Sequence, residues 1–238
     1  MENKRHVQLP NDMTKTPDIT PKDLVIYLAI KRHMNNETKE SFPSLDLIVK
    51  ESGASINTVR KCLANLKEAK YIDIRKEGRK NIYVFSEYKN FEPFSYAFLD
   101  KEDLSFTEKA YLVASQQYMY KDNEEGKISI PNTQLAKLIN MPESTIRKCD
   151  KSLQDKEYVQ VIKTGKKDPI TGLAITEKFY HLNKLEQAIV FVLTKHEEQI
   201  QQNTEDIESL KRDRDILLKE LAEIKKKLNG NNSQEIII

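Results

Sequence analysis

One segment of the chain occurs twice, and this repeat limits the possible folds more than any other feature. Residues 55–63 read SINTVRKCL, and residues 142–150 read PESTIRKCD. Flanking segments recur in the same order at offsets of 85 to 87: 19–34 with 104–119, 42–48 with 130–136, and 69–74 with 156–161. Two copies of about 90 residues are too few for a solenoid, so the repeat predicts a pair of related domains.

The first copy begins with signals for two helices. Thr20 and Pro21 are typical of a helix start, and apolar residues at helical spacing extend that helix to about Asn35. Ser44 is a typical N-cap for a second, shorter helix. Gly53 suits the left-handed conformation that ends such a helix. Two helices joined by a short turn are therefore expected before residue 55.

A third helix and a hairpin complete the first copy. Ser55 is expected to cap the third helix, whose inward face is Val59, Cys62, Leu63 and Leu66. Two β-rich runs, 71–74 and 82–85, follow and are joined by the loop RKEGRKN. This order is that of a winged helix-turn-helix. The chain is predicted to be mainly α with small β-hairpins (α+β), its two tandem domains forming an internal pseudo-dimer.

The second copy departs from the first at three positions of the same motif. Asn140 replaces Gly53, and asparagine tolerates the left-handed conformation. Pro142 replaces Ser55 and fits the first turn of a helix. Asp150 replaces an inward leucine, which predicts that the two third helices pack or bind differently.

Residues 44–85 resemble the winged-helix modules of bacterial transcription regulators and plasmid replication initiators. The resemblance lies in the pattern G-x-S-x-x-T-V-R-K-x-L, which begins at Gly53. Two such modules followed by a coil are also similar in architecture to the TraN-like regulators of Gram-positive conjugative plasmids. These resemblances imply a DNA-binding protein of a mobile element, with a conjugative transfer operon, and hence type IV secretion, as the regulated system.

The carboxy-terminal part differs in kind from the repeat. Apolar residues alternate at steps of three and four, with Asn203 and Arg214 filling two positions of the series: Ile200, Ile207, Leu210, Leu217, Leu221, Ile224 and Leu228. This spacing predicts a coiled coil through which the chain forms homo-oligomers. A long amphipathic helix that folds back on the domains is the alternative. The expected domains are 1–90, 91–184, a coiled-coil helix at 185–229 and a disordered tail at 230–238.

Charge is unevenly distributed along the chain. Residues 1–90 contain 17 basic and 12 acidic residues, a net charge of +5, whereas residues 91–184 are neutral and residues 185–238 carry −3. A positive amino-terminal third favours a polyanionic partner. No apolar run approaches the roughly 20 residues that cross a bilayer, and no signal peptide is apparent, so a cytoplasmic protein is expected. The two cysteines, at matching positions of the repeat, are expected to be buried core residues.

The outward residues of the third helices are the candidate DNA contacts. In the first copy these are Ser55, Asn57, Thr58, Arg60 and Lys61. Asn57 and Arg60 have the chemistry to read adenine and guanine, whereas Thr58 and Lys61 suit phosphates. In the second copy they are Ser144, Thr145, Arg147, Lys148 and Lys151. Glu143 precedes them and either accepts a hydrogen bond from the amino group of cytosine or complements the helix dipole. Two such helices would reach major-groove segments roughly 34–36 Å apart on an imperfect repeat.

The hairpins supply further cations beside these helices. The first loop contains Arg75, Lys76, Arg79 and Lys80, and the second, which is long and expected to be mobile without DNA, begins with Lys163, Lys166 and Lys167. Wing tips of this kind reach the flanking backbone or the minor groove.

No motif in the sequence indicates catalysis. The four histidines are scattered, and there is no phosphate-binding glycine loop, no zinc-binding HExxH motif, no metal site and no implied cofactor. We therefore expect a double-stranded DNA-binding protein, not an enzyme, that acts as a transcriptional repressor. A replication initiator or relaxosome accessory factor that binds origin DNA is the alternative, and a coiled-coil scaffold is an alternative of another class.

Overall fold

The computed structural model describes residues 6–122, 125–185 and 203–221. Contacts divide the chain into two compact units, Met1–Val192 and Leu193–Ile238. The strands of the first unit are β1 (His6–Pro10), β2 (Glu40–Ser41), β3 (Ile72–Glu77), β4 (Lys80–Phe85), β5 (Phe91–Ser95), β6 (Tyr120–Asp122), β7 (Glu125–Ile130), β8 (Val159–Lys167) and β9 (Ala174–His181). Its helices are α1 (Pro21–Lys31), α2 (Leu45–Ser52), α3 (Ile56–Glu68), α4 (Tyr96–Leu99), α5 (Phe106–Ser115), α6 (Asn132–Leu138) and α7 (Glu143–Asp155). The second unit contains the helix α8 (203–221).

The first copy of the repeat consists of α1, α2 and α3 against a sheet of order β2-β4-β3. The helix starts are those predicted: Thr20 and Asp23 form a capping box, and Ser44 and Ser55 each accept a backbone hydrogen bond. The predicted left-handed turn is also confirmed, since Gly53 has φ 74°. The inward face of α3 is buried along its whole length.

Two predicted boundaries in this copy are wrong. The helix α1 ends at Lys31 and not near Asn35. The carboxamide of Asn35 accepts hydrogen bonds from the amides of Glu37 and Thr38 at 2.8 and 3.2 Å, which stabilises a turn in place of the helix. The strands β3 and β4 are longer than predicted and leave only Gly78 and Arg79 between them.

The second copy repeats the order of the first, with α5, α6 and α7 followed by β8 and β9. A capping box of Ser105 and Glu108 begins α5, as Thr20 and Asp23 begin α1. Asn140 adopts φ 50°, which confirms the left-handed turn predicted there. Pro142 occupies the N-cap position and not the first turn, because α7 begins at Glu143. The sheet has the order β6-β7-β9-β8.

The two copies share one interior. Residues 24–30 of α1 and 108–115 of α5 are all buried, and the two helices pack against each other. A helix that is buried on every side needs neighbours on every side. Each of these two helices packs against the rest of its own copy on one side and against the other copy on the opposite side. The antiparallel pair β1 and β5 adds a second connection, in which Val7 lies opposite Phe94.

The inward Asp150 is explained by a buried polar network. Its carboxylate lies 2.8 Å from the ammonium of Lys178 and accepts a hydrogen bond from the Tyr111 hydroxyl at 2.7 Å. Lys178 also donates to Tyr111 at 2.8 Å, and the hydroxyls of Tyr111 and Tyr180 are 2.9 Å apart. The side chain of Lys178 is completely buried, and this burial lowers its pKa, although Asp150 opposes the shift.

The equivalent positions of the first copy are mostly apolar. Leu63 corresponds to Asp150, and Ile26 corresponds to Tyr111. The equivalent residues Ile72 and Val159 lie opposite Phe85 and Tyr180 in their sheets. Phe85 is therefore equivalent to Tyr180, and Tyr83 is equivalent to Lys178. The two cores therefore have the same framework but different chemistry, which is the difference that Asp150 predicted.

The helix α8 presents apolar side chains to solvent. All residues from 203 to 221 are exposed. The exposed apolar residues include four of the predicted heptad series: Ile207, Leu210, Leu217 and Leu221. The remaining positions of the series, Ile200, Ile224 and Leu228, and the predicted tail lie outside the described residues. No helix in the described ranges is long and apolar enough to cross a membrane.

Candidate nucleic-acid interface

The amino-terminal half of α3 presents three polar side chains with no internal partner. Asn57, Arg60 and Lys61 are exposed, and none of them makes a hydrogen bond or ion pair with any residue the structure describes. They lie opposite the buried face of α3, so the packing of the helix directs them outward. An amide, a guanidinium and an ammonium in this arrangement can bind base edges and phosphates.

The two hydroxyls predicted on this surface already have partners. Ser55 Oγ accepts a hydrogen bond from the amide of Thr58 at 3.3 Å, and the two hydroxyl oxygens are 2.9 Å apart. Ser55 and Thr58 therefore stabilise the start of α3. Asn65 also has an internal partner, since its side-chain amide donates a hydrogen bond to the carboxylate of Asp23 at 3.3 Å. The cap could be anticipated from the sequence, but the contact with Asp23 depends on how α1 crosses α3.

The hairpin of β3 and β4 adds a row of cations beside α3. Lys76, Arg79 and Lys80 are exposed and, within the described ranges, form no ion pair. Arg79 occupies the turn with Gly78, which has φ 60°, a conformation that glycine adopts without strain. Arg75 differs, because its guanidinium forms an ion pair with Glu40 on β2. Sequence reasoning missed Glu40, which reaches Arg75 only because β2 joins the sheet.

The third helix of the second copy, α7, carries its predicted cations on the exposed face. Ser144, Lys148 and Lys151 are exposed, and Thr145 is half-buried. Arg147 pairs with Glu143 one turn earlier, with Nε and Oε1 3.0 Å apart. Glu143 also accepts from the Thr133 hydroxyl at 3.2 Å, and Arg147 is the main cause of its lowered pKa. The spacing of four residues is the sequence signal that predicts such a pair.

A crevice of about 900 Å³ separates α7 from the hairpin of β8 and β9. Arg147 and Lys151 line it from the helix, and Lys163 and Leu173 line it from the hairpin. The structure therefore brings together cations that are up to 16 residues apart in sequence. Asp150 also reaches this crevice, but its carboxylate is bound to Lys178. The crevice therefore carries cations on its helix wall and on its hairpin wall.

The second hairpin is long, and hydrogen bonds close its tip. Lys163, Lys166 and Lys167 all lie on β8. The turn beyond them, expected to be mobile, is closed by the carboxylate of Asp168, which accepts hydrogen bonds from the amides of Ile170 and Thr171. These bonds hold the pKa of Asp168 below its usual range.

The first turns of α3 and α7 border a common groove of about 490 Å³. Thr58 and Thr145, which are equivalent in the two copies, both line it, and so do the equivalent residues Lys22 and Thr107. Equivalent residues from both copies meet in this way when an approximate two-fold axis passes between them. The amino-terminal ends of α3 and α7 therefore lie near this axis.

The two helices approach this groove through different lengths. Each helix has 13 residues and is therefore about 20 Å long. The helix α3 borders the groove from Thr58 to Asn65, whereas α7 borders it at Thr145. The sequence could not reveal this arrangement, because it depends on the packing of α1 against α5.

The two cysteines lie in the core beside this groove. Cys62 and Cys149 are both buried. Burial is the main cause that raises the pKa of both thiols, for Cys149 to about 11. A thiol with such a pKa stays protonated at neutral pH and is a weak nucleophile.

The comparison with family models identifies the amino-terminal helices independently. Residues 18–72 match the model of a helix-turn-helix domain. This match covers α1, α2 and α3 and ends at the first residue of β3. The search of curated proteins found no match. The chain therefore contains a helix-turn-helix domain at residues 18–72, which indicates that it binds DNA.

Proposed function

We propose that the protein is a non-enzymatic, sequence-specific regulator that binds double-stranded DNA and represses the transfer operon of a conjugative plasmid. The observation that carries the DNA-binding part is the exposed face of α3 within the helix-turn-helix domain. Asn57, Arg60 and Lys61 project from it with no partner in the described part of the chain. The adjacent cations of β3 and β4 would bind the flanking phosphates. The plasmid and repressor parts rest on the resemblance to conjugative-plasmid regulators.

The second copy would act as a second winged helix-turn-helix on the same DNA. Its helix α7 presents Lys148 and Lys151 on its exposed face. Lys151 and Lys163 line the crevice from the helix and from the hairpin. Because α3 and α7 converge near an approximate two-fold axis, their targets would be adjacent and inverted. The operator would thus be one short, contiguous and imperfect inverted repeat, since the two helices differ at most exposed positions.

Arg60→Ala tests the reading role of α3. Duplexes recovered from a random-sequence selection with the full chain would supply the operator, and footprinting would give its length. We expect Arg60→Ala to weaken binding of that operator by about 1–3 kcal/mol and to relax the preference at one base pair, because bidentate guanidinium contacts to guanine discriminate by that amount.

Lys67→Ala is the matched control for this substitution. Lys67 is at the other end of α3, where it lies 3.5 Å from Asp73, and its loss removes the same charge from the same helix. Equal losses for the two variants would mean that Arg60 contributes only charge. No binding of any duplex at low salt would exclude the proposed function.

Two other functions use the same surfaces. A replication initiator or relaxosome accessory factor would bind an array of sites near an origin and promote unwinding, whereas a repressor would occupy a promoter and reduce transcription. A scaffold protein would form a stable complex through α8 without binding DNA. The helix-turn-helix domain at residues 18–72 favours the first two over the scaffold.

Self-association through α8 belongs to the same proposal. With Ile207 and Leu221 at heptad position a and Leu210 and Leu217 at position d, the positions that flank the seam carry opposite charges. Position g holds Asp206, Asp213 and Glu220, and position e holds Lys211, Leu218 and Lys225. In a parallel pair, g faces e of the partner, so these charges attract. In an antiparallel pair, g faces g and e faces e, so they repel. A parallel homodimer is therefore favoured.

Leu217→Asp is expected to convert the full chain to a monomer in sedimentation equilibrium, because it places a charge in the seam. Ile216→Asp is the control: Ile216 is 55% exposed and Leu217 63% exposed, but Ile216 occupies position c, away from the seam. In addition, Asn203→Cys should cross-link on mild oxidation, since identical seam positions face each other only in a parallel, in-register pair. A monomeric wild type would contradict the dimer, and the absence of the cross-link would contradict the parallel order.

A further inference from the structure

The tip of the second wing carries an apolar side chain in an unusual setting. Ile170 is 92% exposed, more than any other large apolar side chain that the structure describes. It follows Pro169 in the turn between β8 and β9. Single exposed apolar residues are common on protein surfaces, so exposure alone does not indicate a site. The position of Ile170 and the order of its turn provide the argument.

The turn holds Ile170 in a defined place. Asp168 Oδ1 accepts hydrogen bonds from the Ile170 amide at 3.1 Å and from the Thr171 amide at 2.7 Å, and from the Thr171 hydroxyl at 2.8 Å. The backbone closes below it, because the Gly172 amide donates to the Asp168 carbonyl at 2.8 Å. The side chain is thus presented by a pre-formed turn, which reduces the entropy lost when it inserts into a partner.

The hairpin that carries this tip lies beside α7. The half of the hairpin next to the turn lines the crevice opposite α7 through Lys163 and Leu173. The ladder of the second hairpin runs from Val159–Tyr180 to Lys167–Ala174 and spans seven residues of β9, whereas the ladder of the first hairpin spans the six residues of β4. The turn of the second hairpin has six residues, 168–173, whereas that of the first has two. The first wing ends in Gly78 and Arg79 and has no apolar tip. The two wings are therefore built for different contacts.

We propose that Ile170 is a wedge that enters the minor groove beside the α7 site and bends the DNA. Architectural DNA-binding proteins insert apolar side chains, isoleucine and proline among them, between base steps and kink the duplex by roughly 20–90°. Lys163, Lys166 and Lys167 on the same arm would bind phosphates on either side of that groove. The inference rests on the proposed DNA binding and adds an activity to it: the protein would shape its operator as well as occupy it.

The test compares three forms of the full chain on one duplex recovered by random-sequence selection and labelled with a donor and an acceptor at its ends. The wild type should bring the ends closer and raise energy transfer. Ile170→Ala should abolish most of that change and weaken binding about tenfold, whereas Ile170→Leu should retain the bend. Folding is not at risk, because Ile170 makes almost no contact with the rest of the protein.

Tyr120→Ala is the control for loss of an exposed large side chain, since Tyr120 is 73% exposed and lies on β6. It should leave both bend and affinity unchanged. A wild-type complex with straight DNA, or an equal bend with Ile170→Ala, would overturn the wedge and leave DNA binding intact. Failure of the wild type to bind any selected duplex would instead remove the proposed function and the wedge together.

Discussion

Lys178→Met is expected to lower the free energy of unfolding by about 3–5 kcal/mol, measured by urea denaturation at neutral pH. The substitution leaves the buried carboxylate of Asp150 without its ammonium partner, 2.8 Å away. Breaking a buried ion pair on one side is costly because the remaining charge stays desolvated. Asp150→Leu should cost a similar amount for the converse reason, since Lys178 is completely buried.

Two comparisons separate this effect from the loss of any lysine. Lys184→Met removes an ion pair with Glu157 in which both side chains are well exposed, so it should lower the stability far less than Lys178→Met, because water screens exposed ion pairs. A quadruple variant, in which the four network residues are replaced by their equivalents in the first copy, should recover much of the lost stability. Its substitutions are Tyr111→Ile, Asp150→Leu, Lys178→Tyr and Tyr180→Phe. If Lys178→Met costs no more than Lys184→Met, the network does not support the second core.

Simultaneous replacement of Lys76, Arg79 and Lys80 by Ala should make the salt dependence of DNA binding markedly weaker. Each phosphate contact to duplex DNA contributes about 0.9 to the slope of log affinity against log salt, so three contacts contribute about 2.7. Between 50 and 200 mM salt, the wild type should therefore lose about 40-fold more affinity than the variant. Fluorescence anisotropy with the selected duplex across that range measures both slopes.

The control for this prediction removes positive charge from the other unit. Arg212 and Lys219 are exposed on α8 and lie off its apolar seam, so Arg212→Ala with Lys219→Ala should leave the slope unchanged. Arg75 is kept in the wing variant because it forms an ion pair with Glu40. Parallel salt plots for the wild type and the wing variant would show that the first wing does not touch phosphates.

The predicted and observed structures agree best where the determining contacts are local. The caps at Thr20, Ser44 and Ser55 and the left-handed turn at Gly53 follow from interactions within three or four residues. The buried face of α3 follows from its periodicity. The predicted outward orientation of Asn57, Arg60 and Lys61 is also observed, because the apolar residues of the same helix left only the exposed face for them.

Prediction was least accurate where partners are distant in sequence. The strand β1 was missed because it pairs with β5, with Val7 opposite Phe94. The pairing of Arg75 with Glu40 and the burial of Lys178 against Asp150 likewise join residues that are 28 to 35 positions apart. None of these pairings has a local signal, because their energies depend on which surfaces the chain brings together.

The sequence by itself determined that the chain has two related units of three helices and a hairpin, and that the first contains the outward polar face of a helix-turn-helix domain. Periodicity and capping act within a few residues, so they can be read from the order of amino acids. Only the tertiary structure decided how the units are arranged. The packing of the buried helices α1 and α5 brings Thr58 and Thr145 to one groove, and it therefore determines how α3 and α7 are placed relative to each other.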